Sequence, residues 1–352
     1  MKSTQAILVL GLLVGVSSGV FGAELSGPEK NFEALWKTFH ERYAFFKLRG
    51  VDWQKQYKTY RPKVTKDTTD AEFFAILCDM LKPLKDGHVN LKAKGLGSKK
   101  KKSFNSEDTP RFFKEFNTGK LEKQFGAMVL KTLKDKGFSE QKEATKLLVY
   151  SRSKDYGYLD ITEFEGVSKR NLAKGLDKAL SEMKGIKGLI VDIRLNPGGT
   201  DQCVYQITSR FADKKRVGHH RKTKNGPGED DFGELKMRHL TPAQDTFTGP
   251  TVLLTHDASF SAADVFAMLM ADLPHVTIIG EPTNGIFSNM LEKKLPNGWK
   301  YTLSHQVYYS ADKTCYEGKG IPVDIRLLNK RADLEKGEDP LILKALEVLS
   351  AK

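Results

Sequence analysis

Between residues 156 and 280 the chain alternates short apolar runs with amphipathic stretches, and that rhythm limits the fold more than any other feature. YGYLDIT (156–162) and GLIVDIR (188–194) read as strands, VSKRNLAKGLDKALSEM (167–183) and QCVYQITSRF (202–211) as helices. TVLLTH (251–256), SAADVFAMLMADL (261–273) and VTIIG (276–280) continue as strand, helix and strand. Strands joined through helices pair in parallel, because only a crossover returns the chain to the same end of a sheet. An α/β domain with a mainly parallel sheet follows. In that architecture ligands collect at the carboxyl ends of strands, where chain turns into helix. The polar stretch 213–249, with GPGEDDFG (226–233) at its middle, interrupts the rhythm and reads as a surface hairpin or flap.

Ahead of that rhythm the pattern is helical. Phe32, Leu35, Trp36, Phe39 and Tyr43 recur at helical spacing and give one apolar face. VDW (51–53) and Tyr57 begin a second short helix, which Pro62 ends. TDAE (69–72) is a capping-box pattern in front of FFAILCDML (73–81), and beyond Pro83 the chain turns through KDGHVNL (85–91) into a strand. The division expected is a helical segment over 24–91, a lysine-rich loop and connecting segment over 92–150, the α/β core over 151–330, and a closing helix within 331–352. The first 23 residues stand apart. Lys2, the apolar AILVLGLLVGV (6–16) and small residues up to VFGA (20–23) follow the grammar of a secretory signal cleaved near Gly22 or Ala23. The apolar run is too short to span a bilayer comfortably, so export to a periplasmic or extracellular space, without stable membrane insertion, is expected.

A net charge of +13 invites a nucleic-acid partner. Export, and the lack of zinc-finger spacing, a stacking motif or a basic recognition helix, argue against one. KKKK (99–102) reads as a solvated loop, with attraction to an anionic envelope or an acidic substrate as the weaker option. Cys78, Cys203 and Cys315 are odd in number and widely spaced, which excludes a closed disulfide framework and leaves buried thiols. Neither a metal nor a cofactor is expected, and nothing in the sequence sets an oligomeric state.

Two strand ends carry chemistry-bearing residues. In DIRLNPGGT (192–200), Gly198 and Gly199 make a tight turn whose backbone can approach a substrate closely. In THDASFSAADVF (255–266), Ser261 opens a helix, where unpaired amides favour developing negative charge. A glycine amide with that of Ala262 would hold a carbonyl oxygen as it becomes an oxyanion. Taken alone, Ser261 is an ordinary N-cap and the glycines an ordinary turn. A serine nucleophile needs a base. His219 and His220 fall in the polar 213–249 segment and His275 precedes a strand, so solvent exposure accounts for them, while packing accounts for His40. His256 is close to Ser261 in sequence but sits at a strand end. His88, in the DGH turn between helix and strand, is the more suggestive base near neutral pH. Glu317, beside glycines in CYEGKGIPVDI (315–325), is a candidate third group.

Together these motifs resemble the serine peptidase family of C-terminal processing proteases, the tricorn core protease and the interphotoreceptor retinoid-binding protein. LKDGHVNL, VDIRLNPGG, THDASFSAADVF, IIGEPTNG and EGKGIPVDI occur in family order across most of 30–330. The resemblance implies a crotonase-like core of stacked ββα units behind an N-terminal helical bundle. It implies a serine peptidase acting on peptides or unfolded protein, with Ser261 as nucleophile and Gly198, Gly199 and Ala262 as the oxyanion hole. In the processing-protease branch a lysine follows GEPT; here the corresponding residue is Ile286, which cannot be a base. The tricorn-like branch uses histidine and glutamate, and His88 and Glu317 fall on those motifs. Two departures are plain: Gly87 stands where the tricorn pattern has serine, and 92–150 shows no PDZ signature. The retinoid-binding branch supplies the alternative function, a non-catalytic carrier of an apolar ligand such as a retinoid or fatty acid.

Overall fold

A computed structural model describes residues 25–96 and 101–351. The leader over 1–23 and two of the four lysines of the 99–102 run therefore lie outside the described residues. The rhythm of the sequence becomes a seven-stranded sheet. In spatial order its strands are Ile325–Arg326, Val276–Gly280, Thr251–Thr255, Gly188–Asp192, Tyr156–Ile161, Leu148–Arg152 and Lys142–Thr145. The first five run parallel, and the last two add as antiparallel neighbours.

Every residue of the central strands GLIVD and TVLLT is buried, as befits strands covered on both faces. Alternation sorts their side chains. Leu189, Val191 and Leu253 join a core with helices Lys169–Glu182, Asp201–Thr208 and Ala262–Ala271. Ile190, Val252 and Leu254 point the other way, onto helices Gly119–Asp135 and Pro340–Ser350. Thus 92–150 is more than a connecting loop: the stripe Phe125, Met128, Val129 and Leu133 seats a 17-residue helix on the sheet.

The N-terminal helices Gly27–Arg42, Trp53–Tyr60 and Asp70–Leu81 do not bury their aromatic faces on one another alone. Phe32, Leu35, Phe39, Phe73 and Leu77 share a core with Leu91, Trp299, Tyr301 and Leu303. Those partners come from a second, antiparallel sheet of Met290–Lys294, Lys300–Ser304, Asn90–Lys94 and Lys101–Asn105. So the helical segment is completed by strands far along the chain, and it fixes the turn that ends at Val89.

The 213–249 segment forms a hairpin of Arg216–Thr223 and Lys236–Leu240, extended by Gln306–Tyr309 into a three-stranded sheet. This overturns solvent exposure as the account of its histidines. His219 and His220 are buried, His219 Nδ1 lying 2.8 Å from the Tyr205 hydroxyl and His220 Nδ1 3.2 Å from the Ser310 carbonyl. Burial pushes His219 down to about 3. The three cysteines are free thiols, Cys203 buried and the other two half-buried. Among the described residues no helix is long and apolar enough to cross a membrane.

Candidate active site

Ser261 is not a helix cap. Its side chain makes no capping bond, and its backbone stands at φ 61°, ψ −115°, a conformation costing a residue with a side chain about 1–3 kcal/mol. Neighbouring bonds hold the turn in place. Ser259 Oγ donates to the Ile193 carbonyl at 2.9 Å, and Phe260 N–H donates to the Asn196 carbonyl at 3.0 Å. The strained turn aims Ser261 Oγ at His88 Nε2, 3.0 Å away.

His88 reaches that point from the second sheet. Asp86, fully buried, accepts from His88 N–H (2.9 Å), the Tyr43 hydroxyl (2.9 Å) and Ser304 Oγ (3.1 Å). Thr302 Oγ1 donates to the His88 carbonyl at 2.6 Å. The imidazole meets the Phe260 ring edge-on, centroids 5.1 Å apart. Burial lowers its pKa from the ordinary 6.5, opposed by the Asp86 charge and by the Ser288 backbone. Among the described residues Nδ1 nevertheless has no partner in hydrogen-bond geometry, although the Ser288 backbone favours the charged ring. Gly87 has a steric reason. A Cβ there would lie 2.5 Å from Phe260 Cε2 and 2.8 Å from Glu107 Oε2, so no serine fits unless those side chains move.

The glycine turn abuts the nucleophile: a Cβ on Gly198 would lie 2.7 Å from Ser261 Cβ and 2.9 Å from Ala262 N. Asn196 organises it. Its Nδ2 donates to the Ile161 carbonyl at 2.7 Å, and its Oδ1 accepts the Gly198 N–H at 2.8 Å. The Gly198 amide is therefore committed. Among the described residues, the Gly199 and Ala262 amides have no acceptor.

Glu317 is buried, but it makes no hydrogen bond to His88. Its Oε2 accepts the Phe287 N–H at 2.9 Å, and its Oε1 faces Arg49 Nη2 at 3.7 Å. Burial and repulsion from Asp86 push the carboxyl well above its usual range, against the Phe287 bond and Arg49. Ile286 is buried and gives its amide to Asp264. His256 is turned away: Nε2 lies 2.9 Å from Asn329 Oδ1, and burial holds the ring down at about 3. Asp86, Asn196 and Asp264 were not singled out for roles from the sequence, although each adjoins a motif residue. A lone acid near the start of the otherwise apolar run AADVFAMLMA (262–271) was the available sequence signal for Asp264.

Residues 155–327 match the profile of Peptidase family S41, and residues 28–82 that of the Tricorn protease C1 domain. The crystal structure of a candidate peptidase from Parabacteroides merdae is 31% identical, covering 92% of this chain and 97% of that one, with a TM-score of 0.75. The chain belongs to peptidase family S41. Among other S41 relatives, the carboxy-terminal processing protease CtpA of Bacillus subtilis is 31% identical over 51% of this chain and 36% of its own length. The carboxy-terminal-processing protease of Bartonella bacilliformis is 27% identical over 55% and 44%. This S41 chain thus spans less than half the length of these two relatives. Mature CPAF shares the fold at 11% identity, with a TM-score of 0.67 over 92% of this chain and 96% of that one.

Proposed function

We propose that this S41 chain is an exported serine peptidase that hydrolyses peptide bonds in peptides or unfolded protein through an acyl-enzyme. The observation that carries the proposal is the 3.0 Å approach of His88 Nε2 to the Oγ of a strained Ser261, beside two uncommitted amides. Ser261 Oγ attacks the carbonyl carbon while His88 takes its proton. The oxygen gains negative charge within reach of the Gly199 and Ala262 amides, and Gly198 holds the turn. His88 then returns the proton to the leaving nitrogen as the C–N bond breaks. Water, deprotonated by His88, releases the acid. Asp86 supplies the charge that supports the imidazolium, while Glu317, its carboxyl pushed toward the neutral form, holds the Phe287 amide and so the segment beside His88 in place of the electrostatic role expected of it. No metal or cofactor takes part.

In the same proposal 151–330 is a crotonase-like core, 24–91 an N-terminal helical unit, and 1–23 a leader removed on export. A fluorophosphonate probe tests the chemistry. Wild-type protein should be labelled at Ser261, and Ser261→Ala should lose labelling and casein hydrolysis with its circular dichroism unchanged. Hydrolysis retained by that variant would reject the assignment.

A further inference from the structure

Burying a carboxylate is costly unless donors surround it, so Asp264 requires a reason. The other residues of its helix between Ala262 and Met270 are buried and apolar, and Asp264 itself is fully buried. Oδ1 accepts the Gly285 N–H at 2.7 Å and Oδ2 the Ile286 N–H at 3.2 Å. Burial pushes its pKa up to about 7, against the Thr283 side chain and the Gly285, Ile286 and Ser261 backbones, which favour the charged form. Both hydrogen-bond donors come from a strap over 283–288, while Asp264 itself stands in the first turn of the helix that Ser261 opens.

The strap is itself tied down along its length. Asn284 N–H donates to the Ser259 carbonyl at 2.9 Å, Phe287 N–H to Glu317 at 2.9 Å, and Gly318 N–H to the Gly285 carbonyl at 2.7 Å. Ile321 N–H donates to Thr283 Oγ1 at 2.9 Å. Gly285, at φ +88°, leaves no room for a side chain, since a Cβ would meet the Gly320 amide nitrogen at 2.6 Å. At its far end, Ser288 Oγ accepts the His305 and Gln306 amides, and the Ser288 backbone acts on the His88 ring. One short segment therefore runs from beneath Ser261 to the side of His88.

We infer that Asp264 is a positioning residue for Ser261: its carboxylate binds the nucleophile turn to the 283–288 strap and so holds Oγ at hydrogen-bond distance from His88. This rests on the serine-peptidase proposal above and extends it to a residue that touches neither substrate nor the reacting atoms. The constraint is specific. A left-handed serine persists only where its surroundings over-determine it, and the fastening of its helix's first turn to the strap is one such restraint, three residues from the serine that attacks. In an asparagine at 264 the amide group would face backbone donors with hydrogens of its own, breaking at least one of these bonds.

The test is Asp264→Asn in the full chain, read by the kinetics of fluorophosphonate labelling at Ser261. A misplaced nucleophile lowers the maximal labelling rate by about 30-fold and leaves the half-saturating probe concentration within about threefold. Hydrogen exchange over 283–288 should quicken in the same variant. A folded Asp264→Asn protein with lower melting temperature but labelling within threefold of wild type would show a merely structural carboxylate and overturn the inference. Should that variant fail to fold, Thr283→Val loosens the strap by removing the hydroxyl that accepts the Ile321 N–H, and is expected to slow maximal labelling about threefold to tenfold; an unchanged rate would again overturn it. Wild-type protein that resists the probe altogether would sink the peptidase proposal and this inference with it. Wild type labelled as fast as the asparagine variant sinks the inference alone.

Discussion

Replacing Gly198 by alanine tests the geometry at its tightest point. Gly198 stands at φ +99°, and an added Cβ would lie 2.7 Å from the Phe260 carbonyl oxygen, 2.7 Å from Ser261 Cβ and 2.9 Å from Ala262 N. Two of these three are backbone atoms that cannot swing aside. Ordinary contact needs close to 3.5–4 Å, so the glycine turn and the nucleophile turn must part by about 0.7 Å or more. Left-handed strain and overpacking together cost about 2–4 kcal/mol, lowering the melting temperature by about 5 °C or more. The chemical effect is larger in proportion. Separating the Gly199 and Ala262 amides by that distance exceeds the tolerance of about 0.5 Å for a working site. A misplacement near 1 Å costs about a hundredfold in rate, or about 2.7 kcal/mol in barrier. The assay is fluorophosphonate labelling at a temperature where the variant remains folded. Gly119→Ala serves as control, since nothing lies within 4 Å of a Cβ there and the position is helical. A folded Gly198→Ala protein labelled within threefold of wild type would refute the claim that these two turns form one rigid site.

The choice of base is testable by pH and by substitution. Because burial lowers the His88 pKa, its neutral form persists below the ordinary value, and the acid limb of kcat/KM should fall below pH 6.5. A limb at pH 7 or above contradicts this. His88→Ala should abolish labelling while His256→Ala, whose ring is bonded to Asn329, should lower stability and leave the labelling rate of the folded fraction near wild type. Arg194 is buried and donates to Asp192 at 2.6 Å and to Asp339 at 2.7 Å. Arg194→Ala strands both carboxylates and is expected to cost about 3–5 kcal/mol in urea unfolding; a loss below about 1 kcal/mol would show that those charges are relieved some other way.

The parallel sheet was legible because its signal is local: a buried strand such as GLIVD needs no partner to be recognised. The glycine turn and the small residues after Ser261 were legible for the same reason, each being a local conformational demand. Long-range completion was not. Nothing about Trp299, Tyr301 or Leu303 announces that they finish the core of helices some 200 residues earlier. The buried histidines of the 213–249 segment went unrecognised because basic neighbours mask them, while their burial depends on Tyr205 and Ser310 from outside that segment. Asp264 is the intermediate case: its spacing from Ser261 was visible, but its acceptor role requires the amides of Gly285 and Ile286, which only folding brings beneath it.

The same distinction governs charge. The chain is strongly basic overall, which taken alone favours an acidic substrate, yet the groups around the reactive pair are mostly carboxylates. Asp86 acts on His88, and Glu107 feels both Asp86 and Asp257 while burial raises its own pKa. Glu317 feels Asp86 and Asp264, with Arg49 as the opposing cation. Surface lysines are screened within about 10 Å in ordinary salt, whereas charges buried beside the reactive pair are screened far less. Burial pushes Glu107 and Glu317 toward their neutral forms, so the negative charge that His88 feels is that of Asp86. In the proposed reaction that charge favours the imidazolium that His88 becomes as it takes the serine proton.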